Sequence, residues 1–259
     1  MLILPILIPI CAGIMTGIVQ FKSRTARSVF VEAATVATSI VMFIFIFNGQ
    51  GMQMRVMPLT ENLRIVLKVD GLSRVFGGLI AVLWPLATLY AFEYMAHEER
   101  ENAFFVYYLI SYGVTVGIAL SANLFTLYAF YELLTLATFP LVLHKMDHRS
   151  IHACRTYLYY SIGGAALAFI GMIFAQNFGF NSSTDFIYGG ILDPYKIGHQ
   201  KDLLLAVFLL SFIGFGVKAA VFPAFHWLPT VAVAPTPVTA LLHAVAVVKA
   251  GAFAIIRII

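Results

Sequence analysis

Charge is scarce in this chain. Only 11% of its 259 residues are Asp, Glu, Lys or Arg, against 61% apolar, whereas soluble domains carry about a quarter charged residues. That shortage excludes an ordinary soluble domain. Cysteine is almost missing as well: Cys11 and Cys154 fall inside or at the edge of apolar runs, so neither a disulfide framework nor a metal site of Cys/His spacing is suggested. Basic runs are missing too. The net charge of +4 is small and dispersed, which excludes a nucleic-acid patch and leaves lipid and neighbouring membrane subunits as the expected partners. No nucleotide-binding glycine pattern and no catalytic triad are found. The chain therefore shows no bond chemistry or cofactor site of its own, and any oxidoreductase activity would belong to a complex around it.

What the chain has is long apolar runs. Windows of about 20 mostly apolar residues can span a bilayer, and eight are found, near residues 2–20, 28–48, 73–95, 103–120, 122–143, 153–176, 203–224 and 235–256. The expected fold is all-α, one polytopic bundle of about eight transmembrane helices with an interrupted seventh. The first run lacks the basic start and small-residue cleavage pattern of a signal peptide, so it reads as a retained helix. Eight spans put both termini on one side. The basic first loop, "FKSRTAR", places itself, "HEER" (97–100) and "HKMDHR" (144–149) in the cytoplasm by the Lys/Arg bias. The two long loops, 49–72 and 177–202, then face outward; the second is rich in Gly, Asn, Ser and Asp and reads as turns and irregular chain. No sequence repeat is found, although an inverted structural repeat can persist without one.

Against that apolar background a few ionisable groups stand out. Glu132 lies at the centre of residues 121–143, where a carboxylate costs about 2.5 to 3.5 kcal/mol on insertion scales and should face the bundle interior or a wet cavity. Lys218 is nearly as deep in the run from Leu203 to Leu228, too far from either interface to snorkel easily. Gly214, Gly216 and Pro223 flank it, and a proline removes a helical hydrogen bond and clashes with the preceding turn. The helix is expected to break between about 217 and 223 and to restart around Pro235 and Pro237, an arrangement tolerated in lipid where it lines a cavity. His243 is central in the last span and exchanges protons near neutral pH. Lys249, six residues on, is about 9 Å further along the axis on another flank, so the two extend a path instead of forming one site. His226, beside Trp227 and Pro229, suits either an interfacial anchor or a point of proton uptake. Arg257 reads as a cap on the final helix, and Lys68, Asp70 and Arg74 as outer-surface features. The plain alternative for Glu132 and Lys218 is an ion pair that only fixes helix packing.

Three stretches in order, "KVDGLS", "YELLTLATFPLV" and "HWLPTVAVAPTPVTALLHAVAVVKAG", resemble the antiporter-like membrane subunits shared by respiratory complex I, Mrp-type cation/proton antiporters (their A and D components above all) and membrane-bound hydrogenases. The resemblance implies that residues 1–95 form three N-terminal spans and residues 96–259 a proton-conducting repeat, spans four to eight. It further implies that Glu132 tunes the channel lysine, that Lys218 is that lysine, and that His243 and Lys249 pass protons toward a second half. The implied partners are other membrane subunits, the bilayer, protons and possibly Na⁺; the implied location is a prokaryotic cytoplasmic membrane. Members of the family continue well beyond an eighth span, so this chain is expected to be a piece of a longer subunit or one half of a split one. Three readings remain open on the sequence: a redox-driven pump, a stand-alone multisubunit Na⁺/H⁺ antiporter and a purely structural role.

Overall fold

The computed structural model describes residues 1–60, 63–198 and 200–259. Glu61, Asn62 and His199, which fall in the two long outward loops of the sequence reading, lie outside the described residues. The chain order is α1 (Leu4–Ile18), α2 (Arg24–Asn48), β1 (Gln53–Pro58), β2 (Arg64–Lys68), α3 (Gly71–Tyr94), α4 (Glu101–Ala119), α5 (Leu124–Val142), α6 (His148–Phe178), α7 (Pro194–Ile197), α8 (Lys201–Lys218), α9 (Trp227–Thr230), α10 (Thr236–Ala240), a π-helical stretch (Leu241–Val245) and α11 (Val247–Ile258). The long helices begin where the sequence supplies a cap. The side chains of Ser23, Asp70, Asn123 and Asp147 accept from the backbone N–H groups of Ala26, Ser73, Thr126 and Ser150, which satisfies donors that the first turn of a helix leaves unpaired.

Six helices among the described residues are long and apolar enough to cross a membrane: Arg24–Asn48, Gly71–His97, Glu101–Ala119, Leu124–Val142, His148–Phe178 and Thr236–Ile258. The other two expected spans are also helical but fall short of that measure. α1 has 15 residues, and α8 carries Lys201, Asp202 and Lys218 within its 18. The chain is thus a polytopic helical membrane protein. α1 lies against α4, α2 against α3, and α6 along α8.

The loop 49–72, expected only as a long outward-facing loop, holds an antiparallel hairpin, with Met54 opposite Leu67 and a register shift between Arg55 and Met57. The reason is the set of unpaired backbone groups around it. Lys68 N–H donates to Leu120 O (2.7 Å), Ala122 N–H to Val66 O (3.0 Å) and Val66 N–H to Thr126 Oγ1 (2.9 Å), so β2 satisfies the turn between α4 and α5. The second long loop joins the same cap through Leu124 N–H to Thr184 O (2.9 Å), Phe186 N–H to Ala122 O (3.1 Å) and an Arg64–Asp185 ion pair. Backbone that would be costly unpaired near lipid is thereby paired.

Arg257, at the far end of α11, closes this cap from the side. Its guanidinium donates to both oxygens of Asp70 (2.7 and 2.8 Å) and to Ser73 Oγ (3.1 Å). Burial pushes the Asp70 carboxyl up, but the Arg257 fork and the Ser73 donors outweigh it and leave Asp70 below its ordinary value. The sequence reading took Arg257 as a cap on the final helix and Asp70 as a separate outer-surface feature; the fold joins them.

Candidate functional site

The helix that carries Lys218 ends on it. α8 closes in a Schellman arrangement: Val221 N–H reaches Gly216 O (3.0 Å), Ala220 N–H reaches Val217 O (3.0 Å), and Ala220 takes the left-handed conformation at φ +55°. Residues 219–226 then run without helix until α9. The break expected near 217–223 is present and starts after Lys218, with Pro223 inside it. Gly214 and Gly216, assigned to the break from sequence, are helical residues of α8. Gly214 is needed for contact, because a Cβ there would lie 2.5 Å from Ala168 N and 2.6 Å from Gly164 O on α6. Pro235 precedes α10 and Pro237 sits in its first turn, where a missing N–H leaves no hydrogen bond unmade. The prolines of this segment restart a helix instead of kinking one.

Two side chains reach the carbonyls exposed by that ending. Tyr131 Oη, on α5, donates to Phe215 O (3.1 Å), and Trp227 Nε1, from beyond the break, donates to Val217 O (2.7 Å). Both are fully buried. Tyr157 stands against Trp227 at 5.4 Å between ring centres and shares a 2.7 Å hydrogen bond with Thr138 on α5. An aromatic frame therefore holds the end of α8 against α5.

Within that frame the Lys218 side chain is 1% exposed. Its ammonium donates to Tyr131 O, lies 3.5 Å from the centre of the Tyr131 ring and is 3.5 Å from Glu132 Oε1. The structure thus brings together the two intramembrane charges that the sequence placed on separate helices. Their exposures differ: the Glu132 side chain is 29% exposed, so one member of the pair can be reached from outside this chain and the other cannot. Glu132 Oε1, together with Thr135 Oγ1 one turn later on α5, is buried without a hydrogen-bond partner. Sequence reasoning passed over Tyr131, Thr135 and Trp227. The signals were available as the neighbour of Glu132, the position three residues on, and the aromatic of "HWLP".

α11 crosses the broken end of α8 closely. A Cβ on Gly251 would collide with Ala219 N and lie 2.8 Å from Ala219 Cα, so only glycine admits this approach. His243 sits in the π-helical stretch that precedes α11, closed by Ala246 N–H to Leu241 O (2.8 Å), a distortion frequent at functional sites. It is half-buried, and its Nε2 is buried without a partner. Lys249 is exposed on the outside of this chain. Neither forms an ion pair or hydrogen bond with Glu132 or Lys218 among the described residues. His226 is exposed beside the break. No group of three or more metal-ligating side chains is found among the described residues.

A charged pair at a broken helix sits in a stretch of sequence that other proteins share. Residues 121–259 match the family described as NADH:quinone oxidoreductase/Mrp antiporter, transmembrane. The chain belongs to that family. Residues 57–105, from the end of β1 through α3 to the start of α4, match the N-terminus of chain 5 of NADH-ubiquinone oxidoreductase (complex I). Among curated relatives, the A/B component of a probable K⁺/H⁺ antiporter of Rhizobium meliloti is 30% identical over 97% of this chain and 25% of its own length. The A component of the Na⁺/H⁺ antiporter of Alkalihalophilus pseudofirmus is 31% identical over 93% of this chain and 31% of its own length. The chain thus spans about a quarter to a third of these relatives. A chain of the archaeal membrane-bound sulfane sulfur reductase, a respiratory membrane complex, shares the fold at TM-score 0.76 and 19% identity, over 98% of this chain and 51% of that one.

Proposed function

We propose that this chain is the proton-handling part of a cation/proton translocating membrane subunit, working through Glu132, Lys218, His243 and Lys249. The observation that carries the reading is the pair at the end of α8: a buried lysine at a helix break, 3.5 Å from a carboxylate that remains reachable from outside the chain. A neighbouring carboxylate strengthens the hold on an ammonium proton, and its removal or neutralisation weakens that hold. A charge change next to Glu132 therefore alters what Lys218 does with its proton. The released proton passes along His243 toward Lys249, whose exposure suits a group that meets the rest of the subunit or a partner chain.

On this reading α1 and α8 also cross the bilayer, giving eight spans, with residues 1–95 as an N-terminal unit and residues 96–259 as the conducting repeat. The loops that hold His97, His144 and the turn at His226 face the cytoplasm of a prokaryotic cell, and the hairpin cap faces outward. Other membrane subunits are the partners, H⁺ with Na⁺ or K⁺ the ions, and the chain supplies no cofactor. The names of the relatives favour an antiporter over a redox-driven pump. In the assembled complex reconstituted into vesicles, Lys218→Ala is expected to abolish coupled proton movement while leaving assembly intact, and Glu132→Gln to reduce it. Wild-type transport by Lys218→Ala would sink the reading in favour of a structural ion pair.

A further inference from the structure

A second cluster of polar side chains lies among α2, α3 and α4, sharing no residue with the Glu132–Lys218 site. Glu32 is on α2, about 12 Å from the start of that helix at 1.5 Å per residue, in a span of 25 residues. It is half-buried, and Thr35 Oγ1 approaches its Oε2 at 3.4 Å while donating to its backbone carbonyl at 2.9 Å. One turn further, Ser39 Oγ and Tyr112 Oη share a 2.8 Å hydrogen bond. The Tyr112 ring stacks on Trp84 of α3 (4.6 Å, 9°), and Trp84 tilts against Tyr108 (5.4 Å) and accepts at its carbonyl from Thr88 Oγ1 (2.8 Å). Trp84 is fully buried, and its indole N–H has no acceptor.

Every element packed on α2 can be checked for a countercharge. α1 brings no charged residue, and its Cys11 is exposed. α3 presents Trp84 and Thr88, and α4 presents Tyr108 and Tyr112. Arg27, earlier on α2, is committed to Glu101 and to Asn102 Oδ1 (2.6 Å) and lies over the Phe105 ring. Arg24 also pairs with Glu101. Among the described residues no cation pairs with Glu32. Ionisable side chains inside membrane helices mark proton or ion routes, and hydroxyls, which both donate and accept, are the groups that pass a proton on.

We propose that Glu32 is a second proton-binding site of this chain, exchanging its proton through the hydroxyl of Thr35 and the Ser39–Tyr112 pair one turn further along α2. The alternative is a carboxylate that reaches out to the membrane surface.

Carbodiimides separate the two. A protonated carboxyl adds across the reagent, its proton going to one nitrogen and its oxygen to the central carbon. Membranes containing the assembled complex are treated with apolar dicyclohexylcarbodiimide or with a water-soluble carbodiimide, and the Glu32 peptide is weighed by mass spectrometry. The expected result is a Glu32 adduct from the apolar reagent, decreasing as pH rises, lost in Glu32→Gln and much weaker from the water-soluble reagent. No adduct at any pH, or equal labelling by both reagents, would overturn the proposal. The wild-type measurement stands even if Glu32→Gln fails to assemble, and because it reads Glu32 directly, its outcome is independent of Lys218→Ala transport.

Discussion

At the scale of single residues, the candidate site depends on partners that the sequence does not announce. Glu132 and Lys218 were legible because charge inside an apolar run is costly enough to stand out against its surroundings. Tyr131 and Trp227 were not, since a buried aromatic in a membrane helix is common and only the fold shows its polar atom aimed at a helix end. Trp227→Phe deletes the N–H that serves Val217 O and puts a smaller ring in the place of the indole. Val217 O keeps the Ala220 N–H, so the hydrogen bond lost is worth about 0.5–1.5 kcal/mol, which thermal unfolding in detergent should register, with the lost packing, as a lowered midpoint. A second residue responds to pH. His144, just past α5, is buried and bonded through Nε2 to Glu99 O at 2.9 Å, edge-on to Phe104. Burial lowers its pKa below the ordinary imidazole value; the Glu99 carbonyl and the charge of Glu98 oppose that, and Arg100 and Lys145 add to it. The unfolded chain then binds the proton more readily than the folded one, so stability is intact above the unfolded pKa and is lost as pH falls through that range. The unfolding midpoint of the wild type should drop on acidification from pH 7 to 5 more steeply than that of His144→Gln.

At the scale of elements, the helices were readable from apolar run length and the break from Pro223, while the glycines assigned to the break belong to α8. The hairpin was not read: Met54 and Val56 flank Arg55, but Ile65, Val66 and Leu67 run together without alternation. Its strands are short, and what fixes them is the α4–α5 turn, which no local pattern reveals. The π-helical stretch at His243 was equally hidden, because such a distortion answers to packing and not to residue type. The crossing of α11 over the end of α8 is the element contact most open to test. Gly251→Ala puts a methyl group onto Ala219 N and within 2.8 Å of the Lys218 carbonyl carbon. Overpacking of this kind costs about 1–3 kcal/mol. The expected outcome is a lowered unfolding midpoint together with impaired transport, whereas Gly78→Ala, whose Cβ would meet only the tip of Ile46 at 3.6 Å, should leave both unchanged.

At the scale of the whole molecule, the proposed path has a buried middle and two accessible ends. Lys218 is enclosed, Glu132 is partly open, and Lys249 lies on the outside. The sequence reading set His243 and Lys249 on different flanks from helical rotation alone; the structure leaves His243 half-buried in a π-helical stretch and Lys249 exposed. What it could not supply is which flank meets protein. In a background with Cys11→Ser and Cys154→Ser, a Lys249→Cys thiol should react with a water-soluble maleimide in the isolated chain and be protected in the assembled complex; equal reactivity in both would place Lys249 away from any partner. The open ends carry a consequence of their own. If a neighbour's charge at Glu132 changes the affinity of the Lys249 side for its ligand by some factor, thermodynamic linkage requires occupancy at Lys249 to change the affinity at Glu132 by the same factor. A unit built this way has no fixed input and output: which end commands and which obeys is decided by whichever neighbour brings the larger free energy, so the same fold can serve a complex that spends an ion gradient or one that builds it.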